Sequence, residues 1–201
     1  ANRGFFPVED LPTFRHIDSY LQGHPNMNTV PGVDMSTGSL GQGISVACGM
    51  AKAAKVQGQN HRVYTLLGDG ELQEGLIWEA AMAAGHYKLD NLVAIVDWNG
   101  LQIDGNNDDV ITVKPIDEKF EAFGFNVIVI DGHNFEEIFA AFDAARACKG
   151  KPTAIIAKTH KGQGVSFMEN QAGWHGKAPN DAEREQALAE LDAILAELEG
   201  K

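Results

Sequence analysis

Two apolar runs, each ending in a polar residue and lying thirty positions apart, constrain this chain more than any other feature. Val63 to Leu67 runs into Gly68-Asp69-Gly70, and Leu92 to Asp97 runs into Trp98-Asn99-Gly100. A strand, a crossover helix and a second parallel strand need about 30 residues. Parallel neighbours would bring Asp69 and Asn99 together at the carboxyl edge of a sheet, where open α/β folds place their ligands. One carboxylate and one amide make a hard-oxygen site, which suits Mg²⁺ with phosphate and water completing its shell. Glycines at 68 and 70 let the backbone approach a bulky anion. An isolated Gly-Asp-Gly reads more simply as a turn capping a helix; the spacing to Asn99 is what favours the ligand reading.

The rest of the chain supports an α/β fold with a doubly wound, mostly parallel sheet and helices on both faces. Residues 1–40 are rich in Pro, Gly, Asn and Asp and read as a loop-rich lead-in, broken by a short helix near Leu11 to Leu21. Small residues dominate Gly41 to Gln57, which predicts a helix packed closely against a neighbour. Helical patterns over Gln73 to Lys88, Ile116 to Phe123 and Phe135 to Lys149 alternate with strand-like Asn126 to Ile130 and Thr153 to Lys158. Such alternation argues for βαβ units. Asp69, Asn99, Asp131 and Thr159 each follow the apolar end of a run, so polar chemistry gathers at one edge. Asn134 ahead of Glu136-Glu137 predicts a helix cap, which gives His133 a structural reading. From Asp181 to Leu198, Leu188, Leu191, Ile194, Leu195 and Leu198 share one face. That predicts a C-terminal docking helix within 181–201, and the whole of 1–201 reads as one domain.

Charge narrows the function. A formal net charge of −12 argues against nucleic acid or an anionic membrane as a partner, because both demand a basic face. No apolar run approaches the roughly 20 residues of a membrane span, and no secretory signal is visible, so a cytoplasmic location is expected. Cys48 and Cys148 lie far apart, without zinc-type or redox-type spacing, and read as reduced core residues. The chain opens on Ala1-Asn2-Arg3-Gly4 without a methionine, so an upstream segment is expected.

Gly68-Asp69-Gly70 with Asn99 resembles the thiamine diphosphate motif, and Gly68 to Gly75 is similar to the form found in transketolases. Seven further segments match in the family's order. They are Gly23-His24-Pro25, Ser36 to Gly43, His86 to Leu92, Asn99 to Gly105, Asp131 to Asn134, Lys158 to Gly162 and Trp174-His175-Gly176. The resemblance implies that Asp69 and Asn99 donate side-chain oxygens to Mg²⁺ and that the carbonyl of Leu101 joins them. It implies that Gly38, Ser39, Leu40 and Gly70 line the cofactor through backbone groups. Lys161 and His175 match positions that contact the diphosphate, and His175 also faces the substrate. His24 matches a histidine that hydrogen-bonds the donor sugar, a task suited to a side chain that donates or accepts at neutral pH. Glu74, with Glu79, matches glutamates that approach the contact between protomers; acidic residues in a first helical turn fit the macrodipole equally well. The catalytic candidates are thus His24, His175 and Glu74. Trp98 departs from the residues the family usually carries before its asparagine, without touching the ligand itself.

On its own, Gly38 to Gly43 reads as well as a plain helix start. A Rossmann site is disfavoured, because the pattern is Gly-x-x-Gly-x-Gly after a polar loop rather than Gly-x-Gly-x-x-Gly after a strand. The resemblance implies ketol transfer from a ketose phosphate to an aldose phosphate, with thiamine diphosphate supplying the chemistry and protein groups supplying position and charge. The family's activating glutamate belongs to a separate pyrimidine-binding domain. The expected partner is therefore a C-terminal transketolase subunit bearing that domain, in a dimer of heterodimers. The alternatives are a subunit of another two-chain thiamine diphosphate enzyme acting on a different ketose, and a non-catalytic or truncated domain. Glu71-Leu72-Gln73-Glu74-Gly75 argues against a deoxyxylulose phosphate synthase-like protein.

Overall fold

A computed structural model describes residues 1–200. In chain order the elements are α1 (Gln42–Val56), β1 (Val63–Gly68), α2 (Gly75–His86), β2 (Leu92–Trp98), β3 (Leu101–Gln102) and β4 (Gly105–Asn106). There follow α3 (Asn107–Val110), α4 (Ile116–Ala122), β5 (Asn126–Asp131), α5 (Phe135–Ala147), β6 (Thr153–Lys158) and α6 (Asp181–Glu199). Four strands form one parallel sheet in the order β1-β2-β6-β5, and β3 and β4 make a separate small hairpin. The doubly wound expectation therefore holds.

Strand composition follows position in the sheet. The central strands β2 and β6 are nearly continuous apolar runs because helices cover both of their faces. The edge strand β1 alternates instead, with Val63, Thr65 and Leu67 buried and Tyr64 and Leu66 exposed. Ile44, Ala47 and Ala51 of α1, Ile77 and Ala81 of α2, and Ile116 and Phe120 of α4 pack on one face, against Leu67, Ala94, Val96 and Ile156. On the other face, Ala141 and Ala145 of α5 cover Val93, Ile130, Ile155 and Ala157. The small residues of α1 thus serve close packing on α2 and the sheet. The helix α2 shows the same economy of space, since a Cβ on Gly85 would lie 1.9 Å from the carbonyl oxygen of Phe123. Trp78 of α2 stacks on Phe123 and donates its indole N–H to the carbonyl of Leu72 at 2.9 Å.

Local departures from the expected elements have local causes. The expected helix over Leu11 to Leu21 is a 3₁₀ turn, Val8–Thr13, that contains Pro12 and is followed by Arg15 at φ 64; proline lacks the N–H that a longer helix needs. The helix expected from Gln73 begins at Gly75, because Gly70–Gln73 winds as a 3₁₀ turn ahead of an extended Glu74. Asn134 caps α5 by accepting from the N–H groups of Glu136 and Glu137. At α6 a capping box joins Asn180 and Glu183, yet the helix buries no residue. Leu188, Leu191, Ile194, Leu195 and Leu198 remain 42–63% exposed. The helix meets the body where Leu191 and Ile194 approach Gly164, and where Glu190 accepts from the N–H and hydroxyl of Ser166. Cys48 lies against the larger core cluster, whereas Cys148, expected in the core, is the half-buried C-cap of α5. No helix among the described residues is long and apolar enough to cross a membrane.

Candidate functional site

The parallel register places Gly68 of β1 beside Asp97 of β2, and Trp98 of β2 beside Lys158 of β6, so the carboxyl ends of these strands form one ledge. Asp69 sits at its centre and is 1% exposed. One carboxylate oxygen accepts from the N–H of Gly70 at 2.8 Å, and the other from the N–H of Gly100 at 2.5 Å. Gly100 presents that N–H from a φ of 78, a left-handed conformation that glycine adopts without strain. The side-chain oxygen of Asn99 accepts from the N–H of Leu101 at 3.0 Å, which fixes the turn between β2 and the small hairpin. The Asp69 side chain therefore closes on the Asn99-Gly100-Leu101 turn, as the spacing predicted.

Electrostatics make this carboxylate costly in isolation. Burial pushes the Asp69 carboxyl above the usual carboxylate range, and the negative charge of Asp97 adds to the rise. Donors from Gly100, Asn107 and Gly70 pull it back in part. The Asn107 side chain is 3% exposed, and neither of its amide atoms meets hydrogen-bond geometry among the described residues. Its oxygen lies 3.4 Å from the place a Cβ on Gly70 would take, and the Cβ of Gln102 lies only 2.9 Å from that place. A side chain at position 70 would therefore fill this recess. The arrangement suits a hard cation bound by one carboxylate and neutral oxygens, with an anion completing the shell. Among the described residues, no three His, Cys, Asp or Glu side chains converge as a metal-binding group.

A second layer joins the glycine-rich loop to this ledge. Glu71 accepts from the N–H of Gly41 at 2.9 Å and from the N–H of Gly68 at 3.0 Å, so one carboxylate ties the start of α1 to the end of β1. Reading the sequence for ligand atoms passes over Glu71. The signal was its place three residues after Gly68, where a side chain turns back onto a backbone donor. Gly38, Ser39 and Leu40 line a cavity of ≈ 430 Å³ with Tyr64 and Glu71, and His24 lines a neighbouring one of ≈ 410 Å³ with Ser39 and Gln42. Neither cavity includes Asp69 or Asn99 in its lining. The ring of His24 is exposed and packs on Gly38, where a Cβ would come within 2.7 Å of it. Glu74 is exposed, its Cβ against Gly41, and Glu79 is exposed as well.

The remaining candidates sit beyond β6. Thr159 donates its N–H to the carbonyl of Trp98 at 3.1 Å and its hydroxyl to Asp97, which holds the start of this segment against β2. The ammonium of Lys161 lies 3.4 Å from Nδ1 of His175. Lys161 is half-buried and His175 exposed, and Trp174 beside it hydrogen-bonds the carbonyl of Phe167. His133 accepts from the N–H of His160 at 2.8 Å, and the two rings stack 5.9 Å apart. This fits its structural reading. Among the described residues, no hydrogen bond joins the Lys161–His175 pair or His24 to Asp69 or Asn99.

This geometry has close counterparts. The family model described as "Transketolase, thiamine diphosphate binding domain" matches residues 4–192. The chain is 46% identical over 191 residues to one of the subunits of the apulose-4-phosphate transketolase of Actinobacillus succinogenes, covering 95% of this chain and 69% of that protein. It is 43% identical over 192 residues to the 6-deoxy-6-sulfo-D-fructose transketolase subunit SqwG of Clostridium sp. strain MSTE9, covering 96% of this chain and 70% of that protein. The solved transketolase of Campylobacter jejuni superposes with a TM-score of 0.84 at 39% identity, over 90% of this chain but only 29% of that one. The chain therefore spans under a third of that transketolase's length and about 70% of the two subunits. From fold, motif order and these matches together, the chain belongs to the transketolase family and carries its thiamine diphosphate-binding domain.

Proposed function

We propose that this chain is the diphosphate-binding subunit of a two-chain transketolase, which moves a two-carbon ketol unit from a ketose phosphate to an aldose phosphate with thiamine diphosphate and Mg²⁺. The observation that carries this reading is the buried carboxylate of Asp69, held against the Asn99-Gly100-Leu101 turn beside the Asn107 amide, neither of whose atoms makes a hydrogen bond of ordinary geometry among the described residues. Such a group calls for a cation, and Gly70, where a Cβ would come within 2.9 Å of the Cβ of Gln102, keeps any side chain out of the crowded recess beside it. Support for a second chain comes from the relatives named as subunits, which the chain matches over most of its length.

In this reading Asp69, Asn99 and the carbonyl of Leu101 hold Mg²⁺, and Gly38, Ser39, Leu40 and Gly70 approach the cofactor through backbone. Thiamine diphosphate, when bound, supplies the carbanion stabilisation that ketol transfer requires. This chain's residues position and neutralise. Lys161 places a positive charge toward the diphosphate, and Glu71 fixes the loop that carries Gly38 to Leu40. His175 and His24 offer donors or acceptors for sugar hydroxyls and for proton transfer at neutral pH. Glu74 contributes its carboxylate at the contact between subunits. The partner supplies the pyrimidine-binding domain, and a dimer of heterodimers brings two such sites together.

The relatives are named for apulose 4-phosphate and for 6-deoxy-6-sulfo-D-fructose, so the donor belongs to the wider class of ketoses with an anionic tail. The test is capture of the chain from its source cells with any companion chain, followed by a ketol-transfer assay. Xylulose 5-phosphate, apulose 4-phosphate and sulfofructose serve as donors. Transfer that needs the companion, thiamine diphosphate and Mg²⁺ is the expected result. Transfer by this chain alone would overturn the two-chain reading, and a companion without transfer from any donor would favour a binding role.

A further inference from the structure

The recess beside Asp69 holds a residue to which neither the motif nor the ligand reading gives a task. Asn107 opens the one-turn helix α3, directly after the β3–β4 hairpin, and its side chain is 3% exposed. Its backbone N–H donates to the carbonyl of Gly100 at 2.9 Å, while the N–H of that same Gly100 donates to Asp69. The backbone of position 107 is thus locked to the turn that carries the metal candidates. Its side chain is held less firmly: the amide lies close enough to Asp69 to lower its carboxyl pKa, yet among the described residues neither buried amide atom makes a hydrogen bond of ordinary geometry. The oxygen faces Gly70, whose N–H already serves the other oxygen of Asp69.

A buried amide left unsatisfied costs stability, because it gives up its hydrogen bonds to water and regains none. A ligand that supplied the missing partners would remove that cost. The recess offers two partners. An ionised carboxylate deprived of water gains from a donor beside it. A Mg²⁺ ion that keeps part of its water shell offers O–H donors to a nearby carbonyl oxygen. One amide can serve both, its nitrogen toward Asp69 and its oxygen toward a water of the cation.

We infer that Asn107 is a positioning residue for the cation–diphosphate site, holding Asp69 in its ligating orientation and accepting from a water in the metal's shell, so that its oxygen finds its partner in the ligand rather than in the fold. The inference rests on the reading of the Asp69 recess as a cation and diphosphate site. It goes beyond that reading by assigning a residue outside the Gly68-Asp69-Gly70 and Asn99 motif. Outer residues of this kind typically change metal affinity about 10–100-fold when removed.

The test compares Asn107→Leu with the parent, each isolated with its companion chain. Two quantities are read: thermal stability without ligand, and affinity for Mn²⁺ in the presence of thiamine diphosphate, followed by electron paramagnetic resonance. The expected result is an unloaded protein as stable as the parent or more so, with Mn²⁺ bound about 10–100-fold more weakly. Asn107→Ser, which adds no bulk, carries the same comparison if leucine does not fit the recess, and the same drop in affinity is expected. Unchanged Mn²⁺ affinity in a variant that folds would overturn the inference and leave the amide satisfied by a structural water. Loss of ligand-free stability in both variants would overturn it too, since the amide would then serve the fold. A parent that binds no Mn²⁺ with thiamine diphosphate would instead overturn the reading of the whole recess.

Discussion

The ledge around Asp69 and the outlying segment with Lys161 and His175 serve one proposed ligand, but they are built in opposite ways. At the ledge the N–H groups of Gly70 and Gly100 are committed to the carboxylate, Asp69 is 1% exposed, and the turn at Asn99 is pinned by its own side chain. In the outlying segment His175 is exposed, and among the described residues the side chains of Lys161 and His175 hydrogen-bond only each other, at 3.4 Å. The contrast separates two tasks. A metal site needs oxygens held in place before the ion arrives, because Mg²⁺ tolerates little deviation from its octahedron. Charge complementarity to a diphosphate and contact with a sugar need reach more than rigidity, and exposed side chains on a loop supply it.

The comparison breaks first at Asp69. Asp69→Ala is expected to abolish Mg²⁺-dependent binding of thiamine diphosphate, read by titration calorimetry on the captured complex; binding within tenfold of the parent would mean that the ledge is not the metal site. The next effect in size concerns Glu71. Glu71→Ala leaves the N–H groups of Gly41 and Gly68 without their acceptor and is expected to cost about 1–3 kcal/mol in urea unfolding. Cofactor binding should weaken with it as the glycine-rich loop comes loose. Lys161→Ala tests the other side of the contrast. Cofactor affinity should fall about tenfold, roughly 1.4 kcal/mol, while the unfolding free energy stays within about 0.5 kcal/mol. A large loss of stability there would erase the distinction between the two regions. The smallest effect is chemical. Burial pushes the Cys48 thiol up to about 11, so at pH 8 it is almost wholly protonated and should resist iodoacetamide in the native protein. It should react on unfolding, and mass mapping of the alkylated peptide checks this.

Much of the ledge was legible in the sequence because the strands of this parallel sheet are apolar runs whose ends are easy to see. Val63 to Leu67 and Leu92 to Asp97 are such runs, and the register then brings Asp69 to the Asn99 turn with little freedom. Glu71 was not legible as a brace. An acidic residue near a helix start has a sufficient explanation in the helix dipole, and its partners Gly41 and Gly68 are set by tertiary packing alone. Asn107 was hidden for a similar reason, since an asparagine in Gly105-Asn106-Asn107-Asp108 reads as turn chemistry. The β3–β4 hairpin that leads into it has strands of two residues, too short for any period to register. The apolar stripe of α6 was visible in the sequence. Its exposure was not, because periodicity reveals a face and says nothing of what covers it.

The three tryptophans of the chain fall on three different pieces of this architecture. Trp78 is hydrogen-bonded to the turn that follows Asp69, Trp98 ends the strand just before Asn99, and Trp174 precedes His175. The protein therefore carries its own optical labels. With two of the three replaced by phenylalanine, the emission of the one that remains would report on the turn after Asp69, the asparagine turn or the outlying segment separately, and stopped-flow traces would reveal in what order these pieces settle around the proposed ligand.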